Sequence, residues 1–376
     1  MKYFLWLLRI VVGVLFIFSG LVKANDPMGL VYKMNEFFDA LHMSFMMPWS
    51  FWFSVIMIAF EITCGVAVLI GYSFRLFATL LLLLNLFFTF LTGYALATGK
   101  VKECGCFGTC IKISSQATFY KDLILLALSL ILFFFRYRVF GLFSKYVNSA
   151  IMILTVIFCA GIQWYALEHL PIVDCMPYKV GNNLLMQMKP AANATPDVIQ
   201  SVFIYEKDGV KKEFTTENYP WQDSTWKFVD RKDKVISEGT GQPAIHDFVF
   251  TDSDGNDPTQ AILSAKGYTF FWFVREPEKM RTDNMDRIHT LIDKSAAAHI
   301  PFMVLWSADK DSVAAYQKRW NMANVPFMTL DGTASETGMR TNPGLMLIKD
   351  GTVDHKWSYR DYPKDMSLDN DKLNFK

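Results

Sequence analysis

Phe77-Ala-Thr-Leu-Leu-Leu-Leu-Leu-Asn-Leu-Phe-Phe-Thr-Phe-Leu-Thr-Gly-Tyr-Ala-Leu-Ala97 carries no charged side chain. A helix needs about 20 mostly apolar residues to cross the hydrocarbon layer of a bilayer, so this run reads as a membrane span. Four more stretches meet the same test: Tyr3–Val22, Phe51–Ile70, Phe119–Phe135 and Ala150–Leu167. The first also admits a signal-peptide reading, with Val22-Lys23-Ala24 as a loose cleavage pattern. Its length and the lysine at that position argue against this. Immediately beyond the third span comes Glu103-Cys104-Gly105-Cys106-Phe107-Gly108-Thr109-Cys110, which gathers three of the chain's six cysteines.

Composition agrees with a chain that is half membrane and half soluble. Of its 376 residues 52% are hydrophobic, including 33 Phe, 19 Met and 10 Trp. The long apolar runs end near residue 170, and charged and turn residues then appear at ordinary globular density. A net charge of +1 provides no basic field for nucleic acid, so none is expected as a partner. Lys2, Arg9, Arg75, Arg136, Arg138 and Lys145 mark one set of span ends as cytoplasmic by the positive-inside rule. Five crossings then place 23–50, the cysteine loop and everything after Glu168 on the opposite side, although Lys100, Lys102 and Lys112 run against that rule. The expected location is a bacterial inner membrane, with the C-terminal part periplasmic.

Three cysteines in seven positions at a membrane surface point to thiol chemistry, because the thiolate is a nucleophile, a ligand or half of a disulfide. A disulfide across the single residue Gly105 closes a small strained ring, and strain makes a disulfide a better oxidant. Two other readings stay open. The cysteines could form a structural clip, or Cys104, Cys106, Cys110 and Cys175 could bind a soft metal. The spacing lacks the two-residue gap of common zinc knuckles, so no metal centre is expected. Cys175 follows the fifth span and falls on the same face as the loop, so Cys110 and Cys175 form a candidate second pair. Cys64 and Cys159 lie within spans and read as small buried hydrophobes.

Glu61 stands well inside the second span, where an ionised carboxylate is costly and marks either a partner or a polar path. Lys23 and Lys121 are the two candidate partners. Glu61 and Lys23 are the candidate cofactor contacts, with a lipid-soluble quinone as the acceptor for electrons leaving a dithiol. No residue by itself defines a quinone site.

Ser19-Gly20-Leu21-Val22-Lys23-Ala24-Asn25-Asp26-Pro27, Phe60-Glu61-Ile62, Cys104-Gly105-Cys106-Phe107-Gly108 and Lys121-Asp122 together resemble the DoxX/MauE family over roughly residues 1–170. The resemblance implies a small helical bundle that supports disulfide formation in exported proteins. Cys110 falls outside the family pattern.

After a linker and β-hairpin segment at 178–242, the order of elements from residue 243 to 376 becomes strand, helix, strand, which implies a central sheet with helices on its faces. Two hairpins are expected in the segment before it, one from Val198–Tyr205 with Lys211–Thr215, the other from Trp226–Asp230 with Val235–Glu238. The later order, with Asn342-Pro343 directly before a strand, resembles the thioredoxin fold of the TlpA and peroxiredoxin-like type over about 243–360. That likeness implies a cis-proline at Pro343 and a peptide groove beside it. The segment that should hold its paired cysteines reads Arg275-Glu276-Pro277-Glu278-Lys279, and no cysteine follows Cys175. Asp252-Ser253-Asp254-Gly255-Asn256-Asp257 hints at a Ca²⁺ loop but lacks the later glutamate, and reads as a turn.

The fold expected is therefore an all-α transmembrane bundle over 1–177 followed by an α/β extracytoplasmic domain. The leading function is a thiol–disulfide oxidoreductase acting on exported protein substrates, with Cys104 and Cys106 as the exchanging pair. The rival is a non-catalytic membrane anchor whose disulfide clips a loop and whose cysteine-free domain docks a partner in an envelope complex.

Overall fold

A computed structural model describes residues 2–376 apart from 102–107, 109, 111–112, 191–197, 208–209, 216–225 and 238–242. Its N-terminal part holds α1 (Lys2–Asn25), α2 (Pro27–Ala40), α3 (Ser50–Ile70), α4 (Phe74–Thr98), α5 (Ser115–Phe134) and α6 (Lys145–Glu168). All but α2 are long and apolar enough to cross a membrane, so the five expected spans are present. The shortest of the five has 20 residues, which at 1.5 Å per residue reaches about 30 Å, the thickness of the hydrocarbon layer.

Close approach of backbones sets the crossing of α1 and α3. A Cβ added at Gly13 would lie 3.0 Å from the Gly65 carbonyl oxygen, and one added at Gly65 would lie 3.0 Å from that of Gly13. Membrane helices gain little from burying apolar surface against each other, so tight contact at small residues supplies the packing energy. One turn further along α3, Arg9 reaches across from α1 and donates to the carbonyls of Val68 (3.1 Å) and Leu69 (2.9 Å). These belong to the last turn of α3, whose helix ends in a left-handed Gly71 with φ +75°. The turn between α5 and α6 lies there too, with Leu142 N–H donating to Ile70 O at 2.9 Å and Arg75 and Arg136 flanking the Tyr137 ring.

The stretch between the first two spans is largely helical. Asp26 caps α2 by accepting from Gly29 N–H at 3.0 Å, and Pro27 occupies the first helical position. Leu30, Val31, Met34, Phe37 and Phe38 turn inward, giving α2 a buried face.

The C-terminal part opens with the short helix α7 (Leu184–Gln187) and a three-stranded antiparallel sheet of β1 (Val198–Lys207), β2 (Val210–Thr215) and β3 (Lys227–Ser237), in order β2-β1-β3. The second hairpin expected from the sequence is instead the single strand β3. Its charged middle, Arg231 to Lys234, pairs with β1 from Phe203 back to Gln200, and ladder hydrogen bonds override the local turn signal.

A six-stranded mixed sheet follows, in order β4-β7-β6-β5-β8-β9. Its strands are β4 (Phe250–Thr251), β5 (Tyr268–Val274), β6 (Phe302–Trp306), β7 (Phe327–Leu330), β8 (Gly344–Lys349) and β9 (Thr352–Ser358), with helices α8 (Thr259–Ser264), α9 (Met285–Ala297), α10 (Val313–Arg319) and α11 (Gly332–Gly338) between them. Strands β5, β6 and β7 run parallel, while β4, β8 and β9 are antiparallel to their neighbours. Phe270, Trp272 and Val274 face Ile288 and Leu291 of α9, whereas Phe271 and Phe273 face Leu184 and Leu263. Both faces are covered, which is why β5 reads as a continuous apolar run instead of an alternating one. The Asn342–Pro343 peptide is cis. A closing hairpin, β10 (Met366–Asp369) with β11 (Lys372–Phe375), extends the fold beyond the last expected strand.

Replacing Gly65 with Leu is expected to lower the stability of the detergent-solubilised protein by about 1–3 kcal/mol, the usual range for an overpacked contact. The exposed Gly161, with open space around it, serves as the control. Gly161→Leu should leave the thermal melting midpoint within a degree or so of the parent.

Candidate functional site

Two features lie at the same end of the bundle. The first is a disulfide between Cys110, in the loop after α4, and Cys175, in the segment after α6, with Cα atoms 4.8 Å apart. These are the residues expected as a second pair. Cys104 and Cys106 lie outside the described residues. Cys64 and Cys159 are free, buried thiols within spans, as their sequence context implied.

Both sides of the disulfide rest on the last turns of α1. On one side Gly108, at φ +59°, sits so close that an added Cβ would be 3.3 Å from a Val22 methyl. On the other, the Asn25 side chain brackets Val173, accepting from its N–H at 2.9 Å and donating to its carbonyl at 2.8 Å. Side chains from the α/β fold grip the residues next to Cys175. Lys356 of β9 is paired with Asp174 at 2.7 Å, and Arg340, just past α11, places Nη2 3.4 Å from the Met176 sulfur. Arg340 is also paired with Asp26 at 2.9 Å, in a contact where both side chains are under a tenth exposed. Burial pulls the Lys356 ammonium below its ordinary pKa, and the neighbouring Asp174 opposes that shift.

The second feature is a cavity of about 210 Å³ between α1, α3, α4 and α5. Leu15, Phe16, Phe88 and Leu125 form its apolar walls. Ser19, Lys23, Glu61, Asn85, Lys121 and Asp122 supply polar groups, and Ile113 from the cysteine loop completes the lining. Lys23 and Glu61 are only 2% exposed, and Lys23 Nζ donates to both carboxylate oxygens at 2.7 and 2.8 Å. A third donation goes to Ser19 Oγ at 3.1 Å, and the ammonium lies 4.8 Å from the Phe88 ring centroid. Of the two candidate partners for Glu61, the fold selects Lys23. Lys121 pairs with its neighbour Asp122 at 2.9 Å. Two charges that neutralise each other, with the ammonium further held by Ser19 and Phe88, are what makes burial in a span tolerable. Asn85 donates to Ser129 Oγ from α5. An amide in the middle of a leucine run is the signal that would have added Asn85 to the candidate residues.

Chemically the cavity suits an amphipathic molecule. Its walls accept an apolar ring or tail, and its charged groups can donate to or accept from a carbonyl or hydroxyl oxygen. Ile113 stands three residues from Cys110, so this cavity and the disulfide share one loop.

The surface expected to form a peptide groove is arranged differently. Pro343 is buried. Asn342 locks the tip after β5, accepting from Arg275 N–H at 3.0 Å and donating to Glu276 O at 2.8 Å. Tyr32 of α2 covers this tip, with the Arg275 and Arg340 guanidinium groups 5.4 and 5.5 Å from its ring centroid. Burial pushes the Tyr32 phenol up to about 12, with Arg275 opposing. Asp252 folds back onto Asn256 and Asp254 in a turn, and no group of three or more potential metal ligands occurs among the described residues.

Residues 1–135 match the family described as methylamine utilisation protein MauE. That match covers α1 to α5 and the cysteine loop, so the first part of the chain is a MauE-like membrane segment. Residues 199–238, which hold all of β1 to β3 except Val198, match a domain of unknown function, DUF8463. No curated protein matches the chain. Cys175, α6 and the six-stranded sheet lie outside both matched stretches.

Breaking the buried ion pair from one side should be far worse than removing it whole. Lys23→Met or Glu61→Leu alone is expected to cost about 3–5 kcal/mol, and the double variant should recover most of that loss. Thermal unfolding of the four proteins in one detergent measures the cycle.

Proposed function

We propose that the chain is a membrane thiol–disulfide redox protein that supports oxidation of exported proteins, with Cys104 and Cys106 as the exchanging pair and Cys110–Cys175 as the second. The observation that carries this reading is the placement of a disulfide and an amphipathic, charge-lined cavity on a single loop. In the reaction, a substrate thiolate attacks one sulfur of the enzyme disulfide and a mixed disulfide forms. The second substrate thiol then displaces the enzyme thiol, leaving an oxidised substrate and a reduced enzyme pair. Two electrons and two protons pass from that pair to a quinone, which leaves as the quinol while the enzyme disulfide closes again. The cavity is the proposed quinone site. In this reading Lys23 turns the N–H it gives to Ser19 toward a quinone oxygen, while Glu61 keeps the ammonium fixed. In this reading the protein sits in a bacterial inner membrane with its α/β part, of thioredoxin-like type, on the periplasmic side.

The rival is a structural clip. It is favoured by the several side-chain contacts that hold the segment around Cys175, as expected of a disulfide that never opens in use.

Differential thiol alkylation with mass-spectrometric readout separates the two. Quinone depletion in intact cells should shift Cys104 and Cys106 from oxidised to reduced, and Cys104→Ser should abolish substrate oxidation without loss of folded protein. Full oxidation of all four cysteines through depletion, with normal substrate oxidation by the Cys104→Ser variant, would sink the redox reading in favour of the clip.

A further inference from the structure

The α/β fold contributes no cysteine, yet two of its side chains grip the immediate neighbours of Cys175. We infer that this fold serves as a brace that keeps Cys175 opposite Cys110 whether or not the bond between them is closed, and thereby sets the reduction equilibrium of that disulfide. The proposal stands independently of any electron exchange at Cys104 and Cys106.

The segment needs a brace because it has little structure of its own. Residues 170–175 belong to no helix or strand, and among the described residues their backbone makes no main-chain hydrogen bond. Asn25 holds Val173 by both backbone groups, Lys356 holds Asp174, and Arg340 touches Met176 while paired with Asp26. One local bond, from Met176 N–H to Asp174 Oδ1 at 2.9 Å, keeps the Asp174 carboxylate turned for Lys356. Contacts on both sides of Cys175 therefore originate in groups that a change in the sulfur's oxidation state does not touch. The Cys110 side is referred to the same platform through Gly108 and Val22.

The consequence for the equilibrium follows from effective concentration. Closing a disulfide within one chain is favoured in proportion to how often the two thiols meet in bonding geometry. A free irregular segment samples many arrangements. One fixed at residues 173, 174 and 176 samples few, so each contact removed should make the disulfide easier to reduce. The bond that opens is Cys110 Sγ–Cys175 Sγ, and two electrons and two protons from an external dithiol convert it to two thiols.

The test is a redox titration of the full-length protein in detergent against dithiothreitol buffers of graded ratio, with the oxidised fraction of Cys110 and Cys175 read by alkylation and mass spectrometry. Asn25→Ala and Lys356→Met are each expected to lower the oxidation constant at least tenfold, equivalent to a potential about 30 mV less negative. Lys349→Met serves as the control. Its ammonium contacts Tyr268 and Asp371, away from the segment, and its oxidation constant should equal that of the parent. If Lys356→Met fails to fold, Asn25→Ala decides, because the hydrogen bonds made by that side chain run to Val173. Oxidation constants for folded Asn25→Ala and Lys356→Met within twofold of the parent would overturn the inference, even if their melting points fall.

Discussion

The carboxylate of Asp26 ties a helix start in the membrane half to the α/β fold. Oδ1 caps α2 through Gly29 N–H, and Oδ2 receives Nε and Nη2 of Arg340 from the α/β fold. An N-cap fixes where a helix starts and in which direction it leaves. A buried ion pair tolerates little displacement, since a charge left alone in that setting costs several kcal/mol. The direction of α2, and with it Tyr32, is thus coupled to the seating of the α/β fold. Around this pair lie weaker contacts of the same kind. Glu168 at the end of α6 binds Tyr359, Arg360 and Arg281, and His169 meets Asp361 at 2.8 Å. Those groups are more exposed and add registration more than energy.

Inside the bundle the polar groups are few, and every described one that lines the cavity lies toward the cysteine end or at mid-depth. That asymmetry has a physical cause. At the opposite end the charges serve helix termini and aromatic rings, as Arg9 does for α3 and Arg136 for Phe133 and Tyr137, so they are committed to holding helix ends. Lys23, Glu61 and Asn85 instead face one another across helices, around a space no side chain fills. The bundle is tightly closed where Gly13 meets Gly65, and the cavity opens where charge is available to greet a polar atom.

Hydropathy is a local property, which explains why the spans were legible, from Phe51–Ile70 against the observed Ser50–Ile70 to Ala150–Leu167 against the observed Lys145–Glu168. The succession of strands and helices in the six-stranded region was legible for a similar reason, because runs such as Tyr268–Val274 advertise burial on both faces. Helix α2 escaped notice because its composition is mixed, although Asp26-Pro27 is an N-cap followed by a proline at the first helical position, a combination readable in advance. The last hairpin turns at Asn370-Asp371, both with positive φ, another local cue that was present. What no local pattern could reveal was rotation and distance. Choosing Lys23 over Lys121 for Glu61 requires knowing which faces of α1 and α5 turn inward. Pairing Asp26 with Arg340 requires closing 314 residues of chain. Charge in β3 misled for the opposite reason, since a local turn signal yielded to pairing with a strand some 30 residues away.

The disulfide also counts. Its two cysteines stand 65 positions apart in sequence, and the chain between them includes α5 and α6 and the turn that joins them. If each helix crosses the bilayer once, a bond between the ends of that stretch can exist only when the number of crossings is even, so both cysteines share one compartment. The bond is therefore a covalent record of topology. Whichever way the bundle faces, Arg136, Arg138 and Lys145 are committed to the opposite side from α2, the cysteine loop and the whole α/β fold. A chain inserted with α6 missing or reversed would be unable to form this bond.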